Sequence, residues 1–199
     1  MKRPLKILLA LVATFLVLFV TAYLVLVIRF KPDEQGRIVP WGENIDLSSL
    51  PVFRNSLKAP REFVILEGLP HQGWESDLLK EEIAAKETIK IHGFHFYSHP
   101  LPPSEQDRIA LIESMTQEGG IEEWAGMKLC GGYHPDYALQ WRDSEGEWFE
   151  ALICFGCHEI KLYGEGVQLY ADLGEESYEE LKKTLLPYGD QRPKREGKN

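Results

Sequence analysis

An uninterrupted apolar run near the start of the chain limits most strongly what this sequence can fold into. Residues 7–28 form 22 consecutive residues without a charge. A helix needs ~20 such residues to cross the hydrocarbon layer of a bilayer. The run therefore predicts a transmembrane helix, with residues 1–30 as a membrane anchor and the lipid bilayer as the partner of residues 7–28.

The flanks of the run bear on its cleavage and its orientation. Small residues at 20–22 resemble a signal-peptidase site, but the apolar core of a signal peptide spans only ~7 to 15 residues, so an uncleaved anchor is favoured. Three basic residues precede the run and three follow it, namely Lys2, Arg3 and Lys6, then Arg29, Lys31 and Arg37. Because the amino-terminal tail is short and basic, we expect it to stay in the cytoplasm. The predicted localisation is a single-pass membrane protein with an extracytoplasmic domain.

The rest of the chain has the length and composition of one globular domain. Residues 31–60 contain four prolines and no sustained apolar period, which is typical of a linker. Hydrophobic residues make up 44% of the chain and aromatic residues 11%, which is enough to build a core. We place the domain at residues 61–189 and predict a disordered basic tail at 190–199.

The charge of the chain excludes one class of partner. The formal net charge is −9 at pH 7. Proteins that bind nucleic acid draw their affinity from clustered Lys and Arg, which displace counterions from the phosphates. We therefore expect no nucleic acid partner.

Apolar periodicity predicts alternating strands and helices in the domain. The predicted strands lie at residues 62–66, 88–96, 128–141, 148–163 and 167–173. The predicted helices lie at residues 76–87, 104–117 and 177–187, the last two behind capping signals at Ser104 and Ser177. The strand at 88–96 is expected to bulge at Gly93. The order β-α-β-α-β-β-β-α predicts an α+β domain with an antiparallel or mixed sheet that helices cover.

All three cysteines lie in two segments that turn residues at 143–146 would fold together. Residues 154–158 read Cys-Phe-Gly-Cys-His, and Cys130 with His134 lies on the preceding segment. In a strand, residues three apart point to opposite faces and lie ~10 Å apart, so Cys154 and Cys157 need a local turn to meet. Gly156 permits such a turn. In a hairpin centred on residues 144–145, residues 134–136 would lie opposite 154–157.

Several interpretations of this cluster stay open. Three thiolates and one imidazole would form a tetrahedral zinc site. A disulfide, thiol redox chemistry and burial as small core residues are alternatives. Cys-x-x-Cys-His is also the attachment pattern of c-type haem, although its late position and strand-like surroundings disfavour haem. The candidate metal or disulfide residues are Cys130, Cys154, Cys157, His134 and His158.

A second group of histidines is a weaker indication of a metal site. His92, His95 and His99, with His71, would offer imidazole ligands for zinc or copper. On a strand, however, His92 points away from His95. We therefore expect separate surface or satisfied histidines.

Two short motifs carry a resemblance. Residues 130–137 read Cys-Gly-Gly-Tyr-His-Pro-Asp-Tyr, and residues 153–157 read Ile-Cys-Phe-Gly-Cys. Here the chain resembles uncharacterised bacterial membrane-anchored proteins that carry Cys-Gly-Gly-x-His-Pro-Asp-Tyr followed by Ile-Cys-Phe-Gly-Cys. The resemblance covers a small part of the chain, and it implies no activity, cofactor or catalytic residue.

The sequence thus leads to two hypotheses of different classes. The first is a membrane-tethered α+β domain whose Cys/His cluster is a structural disulfide or zinc site that supports binding or scaffolding. The alternative is a thiol redox enzyme or a c-type haem electron carrier that uses Cys154, Cys157 and His158. The sequence assigns no catalytic residue, substrate or protein partner.

Overall fold

The computed structural model describes residues 3–32, 38–40 and 42–193. The chain divides into two compact units, Met1–Glu43 and Asn44–Asn199. The first unit contains helix α1 (Arg3–Arg29), followed by strands β1 (Phe30–Pro32) and β2 (Ile38–Pro40), which pair antiparallel. Helix α1 covers the apolar run at residues 7–28.

Helix α1 does not bear out the predicted membrane span. Across the described part of the chain, no helix combines the length and the apolarity that a transmembrane span requires. This finding contradicts the predicted single-pass membrane localisation with its extracytoplasmic domain.

The second unit is an α+β domain, as predicted. Its helices are α2 (Leu50–Ser56), α3 (Ser76–Ala85), α4 (Glu105–Thr116) and α5 (Glu175–Leu185), with 3-10 turns at Leu47–Ser49 and Leu186–Tyr188. Its strands are β3 (Arg61–Glu67), β4 (Thr88–Ile91), β5 (Phe94–Tyr97), β6 (Ile121–Glu122), β7 (Tyr137–Arg142), β8 (Trp148–Cys154), β9 (Glu159–Gly164) and β10 (Val167–Leu173).

Six of these strands form one sheet in the order β3-β7-β8-β9-β10-β6. Every neighbouring pair in this sheet is antiparallel, so the sheet is not mixed. Strands β7 to β10 follow one another as a meander joined by short turns, which antiparallel neighbours permit. Tyr137 lies opposite Ile153 and Leu139 opposite Ala151, which is the register predicted for this hairpin.

The two faces of the sheet are covered differently. Side chains alternate between the faces along each strand. On one face, residues such as Ile160 and Leu162 of β9 join the main core, to which α2, α4 and α5 contribute. On the other face, Ala138 and Leu152 pack with Phe96 of the hairpin formed by β4 and β5. The remaining positions on that second face are largely polar, and the candidate site lies among them.

The segment at 88–96 differs from its prediction. It is a hairpin, not one bulged strand, because the chain reverses at His92 and Gly93 between β4 and β5. Both residues have positive φ angles, 46° and 91°. A histidine in the left-handed region is uncommon, so the sequence showed the glycine but not the two-residue turn.

The capping predictions had different outcomes. The Ser104 hydroxyl accepts the backbone N–H of Asp107 and caps α4, as predicted. Helix α5 instead begins after Gly174, and Ser177 lies inside the helix. The buried Ser177 hydroxyl donates to the carbonyl of Ser114 and thereby joins α5 to α4.

The segments predicted to flank the domain also contain folded residues. Helix α2 lies within the predicted linker at 31–60, and its residue Phe53 is fully buried in the main core. Within the predicted tail at 190–199, the backbone N–H groups of Gln191 and Arg192 donate to the Glu67 carboxylate. Residues 194–199 lie outside the described residues.

Candidate functional site

A disulfide joins Cys130 to Cys157. The two Cα atoms are 5.5 Å apart, within the range of protein disulfides. Cys157 lies in the turn between β8 and β9, where His158 adopts a left-handed φ of 57°. The local turn required by the Cys-x-x-Cys spacing is thus present. Cys130 reaches the turn from an irregular segment, since residues 128–136 do not form the predicted strand.

The third cysteine, Cys154, is a free and buried thiol. Burial raises its pKa to about 11. The carboxylates of Asp136 and Glu159 also raise this pKa, while hydrogen bonds from the backbone amides of His134 and Cys157 lower it. A thiol with this pKa is protonated at neutral pH and is a poor nucleophile. All three cysteines were candidates for a disulfide or a metal site, and a bridge between Cys154 and Cys157 was one possibility. The structure instead joins Cys130 to Cys157 and leaves Cys154 unbridged.

The two predicted histidine ligands point away from the disulfide. Nε2 of buried His134 lies 2.8 Å from the carbonyl oxygen of Leu69, and its ring centroid lies 4.7 Å from that of His71. Burial lowers the pKa of His134, so the imidazole is neutral near pH 7. The His158 ring stacks on Tyr178 at a centroid distance of 3.6 Å. Neither histidine joins the cysteines as predicted.

The remaining histidines do not form a metal cluster within the described residues. His92 contacts the Glu150 carboxylate and stacks on Tyr163. His99 lies beside Ser98, with its Nδ1 3.4 Å from the hydroxyl oxygen. Burial lowers the pKa of His95, which keeps that ring neutral. Nδ1 of His95 and Nε2 of His71 are buried and have no hydrogen-bond partner among the described residues, so the expectation of surface or satisfied histidines fails for these two rings.

The carboxylate of Glu159 is the functional group that the sequence analysis missed. Glu159 is 2% exposed and begins strand β9. The Trp124 indole donates to one carboxylate oxygen at 3.1 Å, and the Tyr170 hydroxyl donates to the other at 2.6 Å. Lys128 Nζ lies 3.7 Å from it. Burial raises the pKa of Glu159, and these three groups oppose that shift.

Glu159 lies directly beside the disulfide. One of its oxygens and the sulphur atoms of Cys130 and Cys157 all lie within 4.8 Å of one another. Among the described residues, this is the one group of three side chains close enough together to hold a metal ion. The predicted strand at 148–163 gave no signal for this group, because residues 154 and 159 are five apart and would point to opposite faces of one strand. The chain instead reverses at residues 155–158, so that Cys154 and Glu159 become direct partners in the pairing of β8 with β9.

The loop that carries Cys130 presents apolar side chains to solvent. We call residues 126–133 the disulfide loop. Met127 is 61% exposed and Leu129 is fully exposed, while Trp74, on a separate segment, is 70% exposed. The Trp74 indole donates to the Cys130 carbonyl at 3.3 Å. Gly131, at φ 84°, passes so close to Trp74 that a Cβ there would lie 2.1 Å from Nε1.

Asp136 fixes the turn that holds Cys157. One carboxylate oxygen accepts the backbone N–H of Phe155 at 2.8 Å. The other lies 3.2 Å from a guanidinium nitrogen of Arg192. Arg192 also donates two hydrogen bonds to the carbonyl of Gly68. Arg192 therefore holds Asp136, which in turn holds the backbone of the turn that carries Cys157.

None of the protein-family models fits the chain, and comparison with the curated proteins and with the solved structures gave no match. The function is therefore inferred from the geometry of the site.

Proposed function

We propose that the second unit is a protein-binding domain that uses the disulfide loop as its contact surface. The observation that carries this proposal is the full exposure of Leu129 next to Cys130, which the disulfide to Cys157 holds in place. A loop fixed before binding loses less conformational entropy when a partner docks. The disulfide also fits oxidising surroundings.

The exposed side chains around the disulfide favour a protein partner with an apolar surface. Trp and Met are enriched at the centres of protein interfaces, and Trp often contributes strongly to affinity. Trp74 is connected to the disulfide loop through its hydrogen bond to the Cys130 carbonyl. Trp74 and Leu129 are therefore the residues expected to enter the partner's surface.

The alternative class, a thiol redox enzyme, has less support. Its attacking group would have to be a thiolate, but burial raises the pKa of the Cys154 thiol to about 11. Cys157 is 2% exposed, which hinders approach by a substrate disulfide. Attachment of c-type haem would need both Cys154 and Cys157 as thiols, and Cys157 is joined to Cys130.

A photocrosslinking experiment tests the proposal in the host cell. A photoreactive residue replaces Leu129, and a matched control carries the same residue at Ile109, which is 47% exposed on α4. We expect one discrete crosslinked protein from position 129 and none from position 109. The crosslink should disappear when Cys130 and Cys157 are both changed to Ser. Equal crosslinking from both positions, or crosslinking that survives loss of the disulfide, would contradict the proposal.

A further inference from the structure

The disulfide lies beside a carboxylate that could bind a metal ion together with the two sulphur atoms. When the disulfide is reduced, the Cys130 and Cys157 sulphurs become thiols that lie near the Glu159 carboxylate. Thiolate and carboxylate are both ligands of zinc in proteins, and thiolates select it over magnesium and calcium.

Cys154 is the candidate for a fourth ligand, although in the oxidised protein its sulphur is not part of the group that lies within 4.8 Å. It is the direct partner of Glu159 in the antiparallel pairing of β8 with β9. Side chains of directly opposed residues share one face of the sheet, with Cβ atoms ~5 Å apart. The backbone N–H groups of His134 and Cys157 donate to the Cys154 sulphur. Such donors stabilise a thiolate once a metal replaces its proton.

The carboxylate is already oriented. The Trp124 indole and the Tyr170 hydroxyl each donate to a different oxygen of Glu159, at 3.1 and 2.6 Å. A carboxylate has about four lone-pair positions, so both oxygens keep capacity for a metal. Hydrogen bonds of this kind typically hold a ligating carboxylate in place. Lys128 lies between two carboxylates, 2.7 Å from Asp172 and 3.7 Å from Glu159.

We infer that reduction of the Cys130–Cys157 disulfide converts the candidate site into a zinc site with Cys130, Cys154, Cys157 and Glu159 as ligands. A dithiol reductant supplies two electrons and two protons to the two sulphurs and is itself oxidised to a disulfide. The metal then binds as the cysteines release their thiol protons to water. The set replaces the predicted histidines with Glu159 and goes beyond the proposed binding function.

Cobalt substitution tests this inference on the full chain. Co²⁺ is added anaerobically to protein reduced with a dithiol, after removal of the reductant, and the near-ultraviolet thiolate charge-transfer band is recorded. We expect one Co²⁺ per reduced chain with tetrahedral visible bands, displaced by Zn²⁺, and no binding to the oxidised chain. Absence of binding to the reduced chain would overturn the inference.

Two matched variants separate a built site from thiols that bind metal in an unfolded chain. Glu159→Gln should weaken Co²⁺ binding about tenfold or more, since losing a ligand costs at least as much as losing a group that orients one. Glu165→Gln changes an exposed turn residue and should leave the affinity as it was. Equal affinities of these two variants, or an unchanged charge-transfer band in Cys130→Ser, would contradict the proposed ligand set.

Discussion

The indole N–H of Trp141 donates a hydrogen bond to the hydroxyl oxygen of Ser56 at 3.1 Å, across 85 residues of sequence. Both residues are buried, with Trp141 in the second strand of the sheet and Ser56 at the end of α2. The Ser56 hydroxyl itself donates to the Phe53 carbonyl at 2.7 Å. This pair joins the segment predicted as a linker to the centre of the sheet.

Ser56→Ala should therefore destabilise the domain. The substitution leaves the buried indole N–H of Trp141 without an acceptor, which costs about 1–3 kcal/mol of unfolding free energy. Urea denaturation followed by tryptophan fluorescence measures the change. Ser144→Ala, at an exposed turn position, is the control and should be neutral. Equal stability of the two variants would mean that the hydrogen bond contributes nothing.

Removing the disulfide should cost more. Cys130→Ser combined with Cys157→Ser opens a loop whose ends are 27 residues apart. The chain-entropy model gives a loss of about 3 to 4 kcal/mol in unfolding free energy for a loop of this length. Chemical denaturation with and without a reducing agent measures it. The reductant should destabilise the natural chain by a similar amount and should not affect the double variant.

Cys154 should resist alkylation in the folded protein. Its pKa is raised to about 11 by burial, so at pH 8 iodoacetamide should label it slowly until the chain is unfolded in urea. Because the folded state holds the thiol proton more tightly than the unfolded chain, the contribution of this group to stability falls as pH rises from the ordinary thiol pKa to about 11. Cys154→Ala should remove that part of the pH dependence. Rapid labelling of native protein at pH 8 would contradict the burial of the thiol.

Arg192 should matter for stability despite lying close to the end of the described chain. Arg192→Ala removes two hydrogen bonds to the Gly68 carbonyl and the ion pair with Asp136. Because these groups are only partly exposed, we expect a loss of about 1–3 kcal/mol. Hydrogen exchange should also become faster at the backbone N–H of Phe155, because this group donates to the Asp136 carboxylate that Arg192 holds. Lys90→Ala, at an exposed position of β4, serves as the control.

The meander was predicted as three strands, at 128–141, 148–163 and 167–173, because each carries apolar residues and ends in turn residues. The structure has four, since a turn at 155–158 divides the second predicted strand into β8 and β9. Helix α2 was not predicted, because it has only seven residues and contains a proline. Pro51 reads as a linker residue in sequence, although proline is well tolerated in the first turn of a helix. The stripe formed by Leu50, Phe53 and Leu57 acquires meaning only through the core that it meets.

The candidate site, too, has some features that follow from the sequence and others that do not. The need for a turn between Cys154 and Cys157 and the register of the β7–β8 hairpin follow from local geometry. The choice of Cys130 as the partner of Cys157 depends on an irregular loop that no periodicity describes. Glu159 was not predicted as a site residue, because nothing near it in sequence reveals Trp124 and Tyr170, the two donors that stabilise its buried carboxylate.

The Cys130–Cys157 bond also encloses the whole β7–β8 hairpin within one covalent ring. A pulling force applied to the two ends of the domain would pass through the sulphur atoms and bypass these strands. The stretched chain would then fall short of its full contour length by about 90 Å, taking ~3.3–3.6 Å for each of the 27 residues. Mechanical load would thus reach the flanking strands β3, β9 and β10 while the hairpin at the centre of the sheet stays unextended.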